Sequence, residues 1–171
     1  MPWNIDSQDD IAIVTMNSNK VNKQNPDFFK DIHECFDTLD KEFPRIPVIL
    51  TGEGNTFSAG LDFEYNFSLF ARQDQGEIAD WFRDFRKSFL RIFQSPRLTL
   101  AAVNGHAFAG GFILALLCDF RIGAKGNARY SINEVPIGVP MPSIYTEIIR
   151  YRLGSPAATE AILSGDVYDE E

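Results

Sequence analysis

The stretch that most constrains this chain is Leu98–Cys118, LTLAAVNGHAFAGGFILALLC. Its first part, Leu98–Val103, is an apolar run bounded by Pro96 and Asn104-Gly105, too short for a lone helix, and it reads as a buried strand. The chain then turns through Ala109-Gly110-Gly111 and resumes as a second apolar run, Phe112–Cys118, which reads as a fully buried helix. Glycines at a strand-to-helix junction let the backbone approach a ligand closely. The first N–H groups of the helix lack partners and stand at the positive end of its dipole. Such an end can hold an anion, or an oxygen that becomes anionic during a reaction.

The rest of the sequence limits what such a junction can serve. The 171 residues, 44% of them hydrophobic, suffice for one substantial core, so one domain is expected, residues 1–165, with 166–171 reading as the start of a further, truncated C-terminal region. A net charge of -8 argues against nucleic acid or an anionic membrane as partner, and any anionic ligand must be held locally. No run approaches ~20 apolar residues, so no membrane span is expected. Cys35 and Cys118 both lie in apolar runs and read as reduced core thiols, with no metal-ligand spacing. The N-terminus has no signal-peptide pattern and the C-terminus no sorting tripeptide, so a cytoplasmic location is expected.

Along the chain, strand and helix signals alternate. Trp3–Ile5 and Ile11–Met16 read as a hairpin about SQDD. Asn25-Pro26 starts a helix whose Phe28, Phe29, Ile32, Cys35, Phe36 and Leu39 fall at helical spacing. Val48–Thr51 reads as a strand, the segment from Phe67 to Gly76 as irregular and mobile, and Ile78–Phe93 as an amphipathic helix whose aromatic stripe is core. Asp119–Gly123 and Tyr130–Ile132 are further strands, Asn133–Pro142 a loop, and Ser143–Tyr151 and Ala157–Leu163 helices. This alternation implies an α/β fold with a largely parallel sheet.

A second junction lies at Thr56–Asp62, TFSAGLD, where Ser58-Ala59-Gly60 would let the amide of Ala59 face a ligand. Two such junctions can converge at the carboxyl ends of neighbouring strands. Three segments then carry a resemblance: PVILTGEGNTFSAGLDF, LAAVNGHAFAGGFILALLCDFRI and YSINEVPIGVP. In this order and spacing the chain resembles the crotonase superfamily of enoyl-CoA hydratases and isomerases. The resemblance implies a crotonase-like ββα spiral, assembled as a homotrimer or dimer of trimers. It implies an acyl-CoA thioester as partner, with no cofactor beyond the coenzyme A of the substrate. The thioester oxygen would accept bonds from the amides of Ala59 and Gly110.

Side chains distinguish the reactions of the superfamily. A hydratase of this kind needs two carboxylates, one on the helix after the second glycine motif and one in the later loop. Here the helix position is Ile113, which cannot transfer a proton, while the loop position, Glu134, is retained. One buried carboxylate suits a shift of the double bond from Δ3 to Δ2, and the pattern resembles the Δ3,Δ2-enoyl-CoA isomerases. Ser58, Gly60, Leu61, Phe112, Ile113 and Ile137 are expected around the acyl group, and Lys20 and Lys23 near the nucleotide phosphates. Asp62 reads as a helix cap, His33 as a partly exposed helix histidine without a role, and His106 and Asp119 as structural. Pro142 stands where the dienoyl-CoA isomerases carry a second acid, which disfavours that branch. Hydration with a displaced acid, thioester hydrolysis, decarboxylation and acyl-CoA binding without turnover remain the alternatives.

Overall fold

The computed structural model describes residues 3–169. An antiparallel hairpin, β1 (Asn4–Gln8) and β2 (Ile11–Met16), opens the chain, turning on Asp9 and Asp10, both at positive φ. A two-residue strand, β3 (Lys23–Gln24), precedes α1 (Pro26–Glu42), which begins as the sequence implies: the Asn25 side chain accepts from the Phe28 amide. Then follow β4 (Val48–Gly52), β5 (Thr56–Ser58), β6 (Gly60–Leu61), α2 (Phe63–Ala71) and α3 (Gln75–Phe93). The next turn is β7 (Thr99–Val103), β8 (His106–Phe108) and α4 (Gly110–Leu117), and the last is β9 (Phe120–Gly123), β10 (Arg129–Ser131), α5 (Ser143–Leu153) and α6 (Ser155–Ser164).

From β4 onward, each turn lays one strand in each of two sheets before helical segments return the chain. The larger sheet runs β1-β2-β4-β7-β9, parallel except for the hairpin, and the smaller runs β10-β8-β5, all parallel. Successive strands occupy adjacent places in both sheets, which is a ββα spiral. A third, two-stranded parallel sheet joins β3 to β6 and ties the N-terminal region to the first glycine junction.

The aromatic stripes of α1 and α3 meet in the core. Phe28, Phe29, Ile32, Cys35, Phe36 and Leu39 are all buried, and Phe29 makes edge contacts with Trp81, Phe85 and Phe89. Both cysteines are buried and free, and burial pushes each thiol up to about 12, as expected of inert core thiols. Asp119 accepts from the Thr99 amide and hydroxyl, each at 3.0 Å, joining α4 to β7, so its structural role holds. His33 is half-buried against the Ser88 hydroxyl.

Two expectations need correction. The segment after Phe67 is not irregular: α2 runs to Ala71, and α3 begins at Gln75 behind an Asp74 cap. Its helical state is set at the N-terminus, where the Asp62 carboxylate accepts from the Tyr65 amide, and by Phe70 packing against Trp81 and Phe82. The stripe of α3 is also not all core, because Phe82 is 42% exposed beside a cavity.

Candidate active site

The two glycine junctions meet. Gly60 has φ +83, and a Cβ built on it would come within 2.8 Å of both the Gly110 nitrogen and the Phe108 carbonyl oxygen. Only glycine provides that backbone conformation and that clearance together. At the second junction the left-handed residue is Ala109, with φ 51 and ψ -128, not either glycine. Its amide donates to Ser131 at 2.8 Å, and its carbonyl accepts from Phe112 and Ile113, which hold it there. Gly110 and Gly111 are needed for close approach instead. Side chains on them would run into the Tyr145 hydroxyl and Gln24 carboxamide, and into the Ser58 carbonyl, respectively.

The direction of each amide follows from the ladder. Ala59 donates its N–H to the Val21 carbonyl at 3.0 Å, so it is spent inside the scaffold and cannot serve a ligand. This corrects the sequence expectation. Asp62 donates to the Gln24 carbonyl at 3.0 Å, and successive amides of an extended strand point to opposite sides. The Leu61 N–H, immediately before that of Asp62, therefore points away from β3, the positive φ of Gly60 having broken the alternation after Ala59. Gly110 is the first residue of α4, and its N–H has no acceptor within the helix. The junctions thus leave open the amide of Leu61 and, at the head of α4, those of Gly110 and Gly111, of which the Gly110 nitrogen is the one beside Gly60.

Glu134 lies in the loop after β10, where Val139 donates to its carbonyl at 2.9 Å and Gly138 turns at φ +77. Its residue is only 2% exposed, and neither carboxylate oxygen has a hydrogen-bond partner. Burial pushes its pKa up to about 7, opposed weakly by its own backbone amide, which does not reach bonding geometry. Glu134 and Leu61 line the same cavity of about 420 Å³. Its wall is largely apolar: Phe63, Phe67 and Phe70 from α2, Trp81 and Phe82 from α3, and the segment Gly138–Pro142. Tyr145, fully buried beneath, bridges to the other donor. It sits against Gly110, and its own pKa is raised first by burial and then by the Glu134 carboxylate.

Other expected residues lie elsewhere. Ser58 is buried scaffold: its hydroxyl donates to the Asn22 carbonyl at 2.8 Å and accepts from the Gly60 amide at 3.2 Å. Phe112 packs on Tyr130 and borders a separate depression with Arg121 and Tyr168, because the turn of α4 carries it away from the Glu134 cavity. Ile137 is 53% exposed at the tip of its loop and outside the cavity wall. Ile113 is fully buried in the core. Lys20 is exposed, and Lys23 is 3.8 Å from the Asp62 carboxylate. Sequence reasoning places no ligand-facing residue on α2 or α3, although a signal is there: Phe63, Phe67 and Phe70 share one helical face. Among the described residues no cluster of three His, Cys, Asp or Glu could hold a metal, and no helix is long and apolar enough to cross a membrane.

Known proteins share this fold. Over 156 residues the chain is 28% identical to a probable enoyl-CoA hydratase of Bacillus subtilis, covering 91% of this chain and 59% of that protein. Against the mitochondrial enoyl-CoA delta isomerase 1 of Homo sapiens it is 29% identical over 158 residues, covering 91% and 51%. A crystal structure of an enoyl-CoA hydratase/carnithine racemase from Magnetospirillum magneticum superposes with a TM-score of 0.88 at 28% identity, covering 99% of this chain and 63% of that one. The chain thus spans between about half and two thirds of the length of these relatives. The family profile described as Enoyl-CoA hydratase/isomerase matches residues 6–171, with both glycine junctions and the Glu134 loop inside the match. On that match and that spiral, the chain belongs to the enoyl-CoA hydratase/isomerase family of the crotonase superfamily.

Proposed function

We propose that this chain carries the catalytic centre of an enzyme that converts a 3-enoyl-CoA into its 2-enoyl isomer. The observation that carries the reading is that Glu134 is the one titratable side chain among the described residues lining its cavity. Ionised Glu134 takes a proton from C2 of the bound thioester. The C–H electron pair moves into C1–C2, and the carbonyl pair moves onto oxygen, giving a dienolate. Leu61 and Gly110 N–H groups donate to that oxygen, each typically worth ~3 kcal/mol in the transition state. The carboxylic acid then returns the proton to C4, and the double bond comes to rest between C2 and C3.

The raised pKa of Glu134 suits both halves of this cycle, since one group must accept the proton and then release it near neutral pH. Hydration would need a second acid, and Ile113, buried and apolar, does not supply one. No cofactor is required beyond the coenzyme A of the substrate. Lys20 and Lys23 remain our candidates for its phosphates, with Lys23 released from Asp62 to reach them. The test is incubation with a 3-enoyl-CoA, a 2-enoyl-CoA and a saturated acyl-CoA, following the ultraviolet absorbance of the conjugated thioester. Conversion of the first, lost in Glu134→Gln, is expected. Rapid water addition to the second without isomerisation of the first would overturn the reading.

A further inference from the structure

The cavity beside Glu134 is less apolar than its outline suggests. On α2 the positions 63, 66, 67 and 70 share one face, and three of them are phenylalanine. The fourth is Asn66, 5% exposed, whose carboxamide oxygen is enclosed without a hydrogen-bond partner. Leucine has the same branched outline and favours a helix more than asparagine does. The same wall holds Trp81, 6% exposed, whose indole N–H is likewise enclosed and unpartnered. Phenylalanine could pack there with no N–H to satisfy. Both residues line the cavity, and Phe70, one turn beyond Asn66, lies with its ring edge-on to Trp81 at 6.3 Å.

Resting on the acyl-CoA reading above, we infer that this cavity receives an acyl chain bearing a hydroxyl group, held between the Asn66 carboxamide and the Trp81 indole N–H. A hydroxyl has one proton to donate and lone pairs to accept with, so it satisfies the Asn66 oxygen and the Trp81 N–H together. A methylene chain leaves both unpaired in a dry wall, and buried polar groups without partners are costly. A keto oxygen can accept from the indole but leaves the Asn66 oxygen unpaired. A carboxylate in the chain would share the cavity with Glu134, and an ammonium would pair with Glu134 and block the base.

The experiment is equilibrium binding by calorimetry, which requires no turnover. Saturated acyl-CoAs of one length are compared, unsubstituted or with a hydroxyl at successive carbons beyond C4. At least one hydroxylated isomer should bind about tenfold or more tightly than the unsubstituted chain. Asn66→Leu and Trp81→Phe should each remove most of that preference, and Asn66→Leu should bind the unsubstituted chain more tightly than the parent does. Circular dichroism checks the fold of each variant, and either variant alone suffices. If the unsubstituted chain binds as tightly as every hydroxylated one, the hydroxyl site is refuted while the acyl-CoA reading stands. If no acyl-CoA binds at all, that reading fails and takes the hydroxyl site with it.

Discussion

A methyl group added to Gly60 would come within 2.8 Å of the amide nitrogen of Gly110. The contact joins the first glycine junction to the second and brings the open amide beside Gly60 to the head of α4. It also makes Gly60 doubly intolerant. Gly60→Ala places a side chain at φ +83, costing about 1–2 kcal/mol from backbone conformation alone, and forces the two junctions apart. We expect a lower melting temperature and a fall in kcat larger than any rise in KM. Wild-type turnover in a folded Gly60→Ala protein would show that the spacing of the junctions is immaterial.

The choice between Ala59 and Leu61 as donor is open to direct chemistry. Replacing the amide of one residue by an ester, through incorporation of the matching α-hydroxy acid, deletes a single N–H. At Leu61 this should lower kcat about 10²–10³-fold with little effect on stability. At Ala59 it should cost about 1 kcal/mol of stability, through the lost bond to Val21, and leave kcat nearly unchanged. The reverse pattern would restore Ala59 as the donor.

Acid titration of Glu134 gives stability and activity opposite slopes. Its folded pKa of about 7 lies above the ordinary value of 4.5, so between these the folded protein holds the proton that the unfolded chain has lost. The contribution to stability is full below about pH 4.5 and is lost as pH rises to about 7, a change of about 3 kcal/mol. Denaturant titrations should show that decline in the parent and its absence in Glu134→Gln. Activity should instead rise with pH and level off above about 7, because the base must be ionised. A kcat/KM that is flat from pH 5 to 8 (~3 units spanning the titration) would remove Glu134 from the role of base.

The cap of α2 lies between Leu61 and the phenylalanines that line the cavity. Asp62→Ala removes the acceptor for the Tyr65 amide and should cost about 1 kcal/mol. Because α2 carries Phe63, Asn66, Phe67 and Phe70 into the cavity, KM for the acyl substrate should rise as the helix start frays. Asp62→Asn retains a capping oxygen and should recover most of both effects, although it discards the ion pair with Lys23. If Asp62→Asn is as impaired as Asp62→Ala, the charge of Asp62 matters rather than its cap.

Much of this protein is written locally in its sequence. The hairpin, the stripes of α1 and α3, the Asn25 and Asp62 caps, the two glycine junctions and the Glu134 loop all depend on spacing or turn chemistry within a few residues. Local patterns cannot say which amide of a loop remains open. Ala59 is spent and Leu61 is not because β6 pairs with β3, a strand brought alongside from before α1. Nor could they place the left-handed turn at Ala109, which the Ser131 carbonyl and the start of α4 impose. Phe112 and Ile137 looked as apolar as Phe63 and Phe70, yet only the latter pair face the cavity. Hydrophobic spacing selects which residues seek cover. Which cavity they cover, and which backbone donors are left facing it, is decided when distant strands pair and the helices pack.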